Sequence, residues 1–209
     1  MSRAPRNAQR RAIGSIGGFF ARVLLFFAIA LALWYAARQW VVLPPAWLAE
    51  HVMGWAFPHW VRGAEAAGDV QTLITALTVA APDGRIGEVT VEAGALKYAY
   101  GAPLLAALLF ATWPRGLAWK LPLGLLLLFP FQAWGICAEW LVHVAVQLGP
   151  AVADQAGFGA FATNLIGAGY QLGFLILPSL TPVLIWLVLD RRLVATVLLE
   201  GALSGYEAR

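Results

Sequence analysis

Four stretches of about twenty residues, each almost free of charge, constrain this 209-residue chain more than any other feature. They run from Gly17 to Ala37, Gly94 to Trp113, Leu121 to Val146 and Leu165 to Leu189. A helix crossing the ~30 Å hydrocarbon core of a bilayer needs about 20 apolar residues. Backbone groups in lipid must find partners within the protein, so continuous apolar runs of this length read as helices rather than barrel strands. The expected fold class is therefore an all-α integral membrane protein with four transmembrane helices. Composition agrees: 61% of the residues are hydrophobic and 12% charged, against roughly a quarter charged in soluble domains. Intrinsic disorder needs the opposite balance, and a single cysteine, Cys137, excludes a disulfide scaffold. A net charge of +3 gives no footing for nucleic acid.

Arg3, Arg6, Arg10 and Arg11 precede the first apolar run, as in a signal peptide, but Tyr35-Ala36-Ala37 puts tyrosine where cleavage wants a small residue. The segment reads as an uncleaved anchor, with Arg22 snorkelling to the inner surface. The 1–16 tail, the 114–120 turn and the 190–209 tail hold nine basic residues. The 38–93 and 147–164 segments, with Lys97 at a span edge, hold four. The positive-inside rule then places both termini in the cytoplasm. Trp40, Trp113, Trp119 and Trp140 fall near span ends and read as interfacial anchors.

Residues 38–93 form an extracytoplasmic segment that should fold as a small α+β unit. Leu48, Val52, Trp55 and Ala56 mark a helical stripe, read as an interfacial amphipathic helix. Val70 to Val79 and Ile86 to Val91 are β-prone runs around Asp83-Gly84, which predicts a hairpin. The acids of this side, Glu50 and Glu88 among them, read as a solvated face.

Glu139 and His143 are the ionisable residues well inside a predicted span, four apart on one helical face, with Gln132 about 20° away. Charge at membrane depth turns into a bundle or a wet cavity, so the pair is expected to satisfy itself near the outer end. Proton relay, acid/base catalysis and contact with a partner's helix are the functional alternatives. Cys137 and His143 lie about 240° apart around the helix at ~100° per residue, against a thiol–imidazole couple. No histidine or cysteine spacing suits a metal, and no Gly-rich loop suits a nucleotide, so no cofactor is expected. Gly169 and Gly173 form a G-x-x-x-G helix-packing motif, within the chain or in a homo-oligomer. Pro130, Pro178 and Pro182 should kink their helices. Gln171 and Asn164 are candidates to bond across to Gln132 or Glu139.

Three stretches together resemble the exosortase H-associated membrane proteins: Lys97-Tyr98-Ala99-Tyr100-Gly101-Ala102-Pro103-Leu104, Phe131-Gln132-Ala133-Trp134-Gly135, and Gly169-Tyr170-Gln171-Leu172-Gly173 with Leu177-Pro178. The resemblance implies a multi-pass protein of a bacterial inner membrane, working beside a sorting transpeptidase whose substrates carry a C-terminal apolar helix. It makes Lys97, Tyr98, Tyr100, Gly101 and Pro103 candidate partner-binding residues and transfers no catalytic residue. The expected function is a non-enzymatic accessory that binds, positions or stabilises an exosortase or its substrates, amid membrane lipid. An intramembrane enzyme or proton-coupled carrier using Glu139 and His143, and a structural subunit of another envelope assembly, are the competing classes.

Overall fold

The computed structural model describes residues 16–80 and 85–190. The basic N-terminal tail, the Asp83-Gly84 turn and the C-terminal tail after Asp190 lie outside them. Helix α1 is Ile16–Ala36, and a short helical turn at Arg38–Val41 leads into α2, Leu43–Ala56. Strands β1 (Val61–Ala67), β2 (Val70–Ala80) and β3 (Ile86–Gly94) follow. A turn at Leu96–Ala99 opens α3, Gly101–Thr112. Helix α4 is Leu117–Val142, extended by a π turn through Gln147. Then come α5 (Pro150–Gln155), α6 (Ala160–Gln171), a π turn at Leu172–Ile176, and α7 (Leu177–Leu189).

Three helical runs are long and apolar enough to cross a membrane: Gly18–Ala36, Leu117–Gln147 and Ala160–Leu189. The second expected span falls short. Its helix covers Leu96–Thr112, because β3 extends to Gly94 and the tight Leu96–Ala99 turn spends the next residues. The three long helices and α3 nonetheless run alternately up and down. Phe19 stacks on Trp186 with ring centres 6.2 Å apart, and Trp186 Nε1 donates to Thr112 Oγ1 at 3.3 Å, which gathers the start of α1 with the ends of α3 and α7. At the opposite end Trp34 packs against the core beneath the sheet. Leu105, Leu108, Leu109, Leu128, Ile185 and Trp186 form the core of the bundle.

The sheet is an antiparallel meander in the order β1-β2-β3. The expected hairpin is its β2–β3 half; β1 had not been expected from its small and charged residues. It is joined to β2 through Gly68-Asp69, with Ala67 opposite Val70 and Gly68 at φ +68°, the left-handed geometry of a two-residue hairpin loop. Gln71, Leu73, Thr75 and Leu77 of β2 and Val89, Val91 and Ala93 of β3 turn one face inward. Where the β2–β3 register breaks between Ile74 and Thr78, the Thr75 hydroxyl donates to the Val89 carbonyl at 2.6 Å. On the other side of β2 the Gln155 carboxamide clasps Thr78, accepting from its N–H at 3.0 Å and donating to its carbonyl at 2.9 Å. That is the bonding a neighbouring strand would supply, here past the end of β1.

Trp140 corrects another expectation. It is fully buried, and its Nε1 donates to the Gln71 carbonyl at 3.0 Å, so it pins α4 to the sheet. Trp40, Trp113 and Trp119 are exposed. Helix α2 turns most of its expected stripe outward: Val52 and Trp55 are exposed and Leu48 packs against the core, while Ala46, Ala49, Met53 and Val42 just before the helix are buried.

Candidate functional site

Two features converge on the upper half of α4. The first is a polar cluster. Glu139 is 6% exposed, yet its carboxylate does not turn to His143. Oε2 accepts from the Tyr98 hydroxyl at 3.0 Å, and Oε1 is ion-paired with the Lys97 ammonium. Lys97 and Tyr98 reach it because the Leu96–Ala99 turn aims both back at α4. The Lys97 ammonium also sits 5.5 Å from the centre of the Tyr98 ring and 5.9 Å from that of Phe174, where the ring faces attract a cation. His143, half-buried, keeps the regular helical register, its N–H donating to the Glu139 carbonyl, but the Glu139 carboxylate is taken by Tyr98 and Lys97 instead. From Lys120 to Glu139 the helix rises about 28 Å at 1.5 Å per residue, close to the ~30 Å thickness of a bilayer's hydrocarbon core.

The remaining residues of the Lys97 motif pack within the fold. Tyr98, Gly101 and Pro103 are buried and Tyr100 is half-buried. The Tyr98 ring lies flat on Gly135, where any Cβ would overlap it, and a Cβ on Gly101 would stand 2.9 Å from the Pro178 carbonyl oxygen. These glycines let α3, α4 and α7 close on one another.

Gly169 and Gly173 face α4 of their own chain. Trp134 Nε1 donates to the Gly169 carbonyl at 3.0 Å, and a Cβ on Gly173 would lie 3.1 Å from Trp134 Cδ1 and 3.3 Å from Gly135 Cα. Gln171 and Asn164 are exposed, and neither carries a bond to Gln132 or Glu139 among the described residues. The π turn at Leu172–Ile176 precedes Pro178, whose ring would crowd the carbonyl four residues back in a regular helix. Helix α4 continues without a break through Pro122 and Pro130.

The second feature was not legible in the sequence: an apolar groove of about 850 Å³ between α2, α4 and α6. Leu48, Val52 and Ala56 form one wall, and Leu165, Ala168 and Gly169 the other. Its floor on α4 runs from Pro130 to Leu141 and includes Ala133, Cys137 and Ala138. That floor is about 16 Å long. Helix α6 has no buried residue, so the far wall rests on α4 chiefly through Trp134 and the Gly173 contact. Cys137 lines the groove as a buried thiol, and its Sγ–H points to the Ala49 carbonyl at 3.6 Å. No group of three or more His, Cys, Asp or Glu side chains suited to a metal occurs among the described residues.

No curated protein and no solved structure matches the chain. The family model described as exosortase H-associated membrane protein matches residues 14–193. An apolar chain with three membrane-length helices, carrying the Lys97–Leu104, Phe131–Gly135 and Gly169–Pro178 motifs at the mutual contacts of its helices, thus belongs to the exosortase H-associated membrane protein family.

Proposed function

We propose that the protein is a non-enzymatic accessory of a bacterial inner membrane that receives an apolar transmembrane helix in the groove between α2, α4 and α6. That helix belongs to an exosortase or to one of its sorting substrates, and the accessory holds it in position. The groove carries this reading. It opens on the flank of α4, its floor is built from Ala133, Cys137 and Ala138, and Gly169 stands at the edge of the α6 wall. Small residues let a second helix backbone come close, which is what associates helices in lipid. The reading includes four crossings with both ends in the cytoplasm. Leu96–Thr112 as the second crossing is about 25 Å long, and tilt or a locally thinned bilayer accommodates the shortfall.

The carrier or enzyme reading needs Glu139 and His143 to exchange a proton. The ion pair with Lys97 and the Tyr98 bond occupy the carboxylate, which favours a structural role.

A photo-crosslinking amino acid at Val52 or Leu165, in cells that express the cognate exosortase and a tagged substrate, tests the groove. The expected adduct is to one of these proteins, with none from the exposed Leu25 of α1. Adducts of equal yield at Leu25, or adducts to lipid alone at the groove positions, would overturn the proposal.

A further inference from the structure

Gln132 poses a question that the groove does not answer. It is 5% exposed, and its Oε1 has no hydrogen-bond partner among the described residues. From Lys120 the helix rises about 18 Å to reach it, close to the bilayer centre. An amide oxygen left bare at that depth costs several kcal/mol in hydrocarbon, and bulk water does not reach it. The side chain lines a cavity of about 10 Å³ enclosed by Tyr98, Gly101, Leu128, Phe131, Leu177 and Pro178, apart from Gln132 the whole of its lining. That volume is at the lower limit, about 10–15 Å³, for one water molecule.

A second acceptor stands at the same place. The carbonyl of Pro178 would normally receive the N–H four residues on, but that residue is Pro182, which has none. Gly101 packs against this carbonyl closely enough that a Cβ would lie 2.9 Å from it. Gln132 Oε1, which has no partner, and Pro178, whose carbonyl has lost its ordinary helical donor, thus line one small space. A water has two protons and fits that need; a larger ligand does not fit the volume, and a bare cation would find far fewer oxygen ligands there than the six or so it takes.

We propose that the cavity between α3, α4 and α7 is a water site, with a single buried water donating one proton to Gln132 Oε1 and the other to the Pro178 carbonyl. This water joins α4 to α7 near mid-membrane, below the Glu139 cluster. It replaces the bond that Pro182 forfeits and explains a glutamine on an otherwise apolar stretch of α4. The site is independent of the groove and of any partner.

Radiolytic footprinting tests it on the purified full chain, because an X-ray pulse converts a bound water into hydroxyl radicals that oxidise the side chains touching it. Leu128, 2% exposed, should be labelled several-fold more than Leu126, which is 58% exposed but faces lipid. Leu128 labelling at or below that of Leu126 in the wild type overturns the proposal without any variant. In Gln132→Leu, labelling of Leu128 should fall to the level of Leu126 and the unfolding midpoint should drop. A rise in that midpoint would mean that the amide oxygen had been bare all along, which also overturns the site.

Discussion

Removing the Lys97 ammonium should destabilise the fold more than neutralising the carboxylate it pairs with. Lys97→Met leaves the Glu139 carboxyl without its cation, 8% exposed at the side chain and held by the Tyr98 hydroxyl alone. Breaking a fully buried pair from one side costs roughly 3–5 kcal/mol. The Lys97 side chain is 37% exposed, so solvent already screens the pair and about 2 kcal/mol is the reasonable expectation. Glu139→Gln keeps an acceptor for Tyr98 and leaves a lysine that can swing into the headgroup layer, which costs about 1 kcal/mol. In Lys97→Met with Glu139→Gln no charge is stranded. The double variant should therefore be less damaged than the two singles combined, by about 1 kcal/mol or more of coupling. Unfolding in mixed micelles with rising SDS fraction, followed by the fluorescence of the ten tryptophans, measures all four corners of the cycle. Additive effects, or Glu139→Gln costing more than Lys97→Met, would refute the pairing.

Gly135→Ala should be among the most disruptive single-methyl changes, because the Tyr98 ring occupies the position of the new Cβ; overpacking of this kind costs about 1–3 kcal/mol, read by the same micelle titration. Gly173→Ala should lower stability and Gly169→Ala should not, since their nearest Cβ contacts are 3.1 Å and 3.6 Å; equal losses would mean that α6 docks differently. Trp134→Phe removes the bond to the Gly169 carbonyl while keeping a ring, so hydrogen exchange across α6 should quicken by about tenfold for about 1.4 kcal/mol at most; unchanged exchange would show that the bond does not hold the groove wall. Cys137→Ala and His143→Gln should each retain processing of exosortase substrates, whereas deletion of the gene lowers it; the measure is the fraction of a tagged substrate that loses its C-terminal helix, and normal processing in the deletion strain would remove the accessory reading.

How far the fold could be read from sequence depended on what each residue's alternative environment was. Apolar length alone located α1, α4 and the α6–α7 run, since nothing but lipid tolerates such stretches. Facing was another matter. On α2 both Leu48-Val52-Trp55-Ala56 and Val42-Ala46-Ala49-Met53 have helical spacing, and periodicity has no means of ranking two apolar stripes when the solvent is itself apolar. The structure packs the stripe with the smaller residues inward, where backbones can approach. Strand β1 was missed because Val61–Ala67 is poor in β-branched and aromatic residues; its signal was the Gly68-Asp69 loop rather than the strand. Glu139 was given a partner four residues away because local geometry is all that one helix displays. Its real partner is 42 residues distant, brought in by the turn after β3.

The groove illustrates the same limit from the functional side. Its walls come from Leu48–Phe57 and Leu165–Leu172, with α4 between them, and no local pattern links segments so far apart in sequence. In water three such apolar surfaces would collapse together, since the hydrophobic effect drives burial of their shared area. In a bilayer that drive is absent, and lipid tails can occupy the space at little cost, so an open apolar groove is stable as built. The same argument limits what the groove can select. Leu48, Val52 and Leu165 offer a lipid tail as much contact as they offer a helix. Ala133, Ala138 and Gly169 do not, because small side chains give a flexible chain nothing to grip yet allow a rigid backbone within packing distance. On the proposed reading, discrimination between a helix and lipid rests on the small residues of the floor on α4 and on Gly169 at the edge of the α6 wall, and enlarging Ala133 or Ala138 should expel a helix while leaving lipid contact at the walls intact.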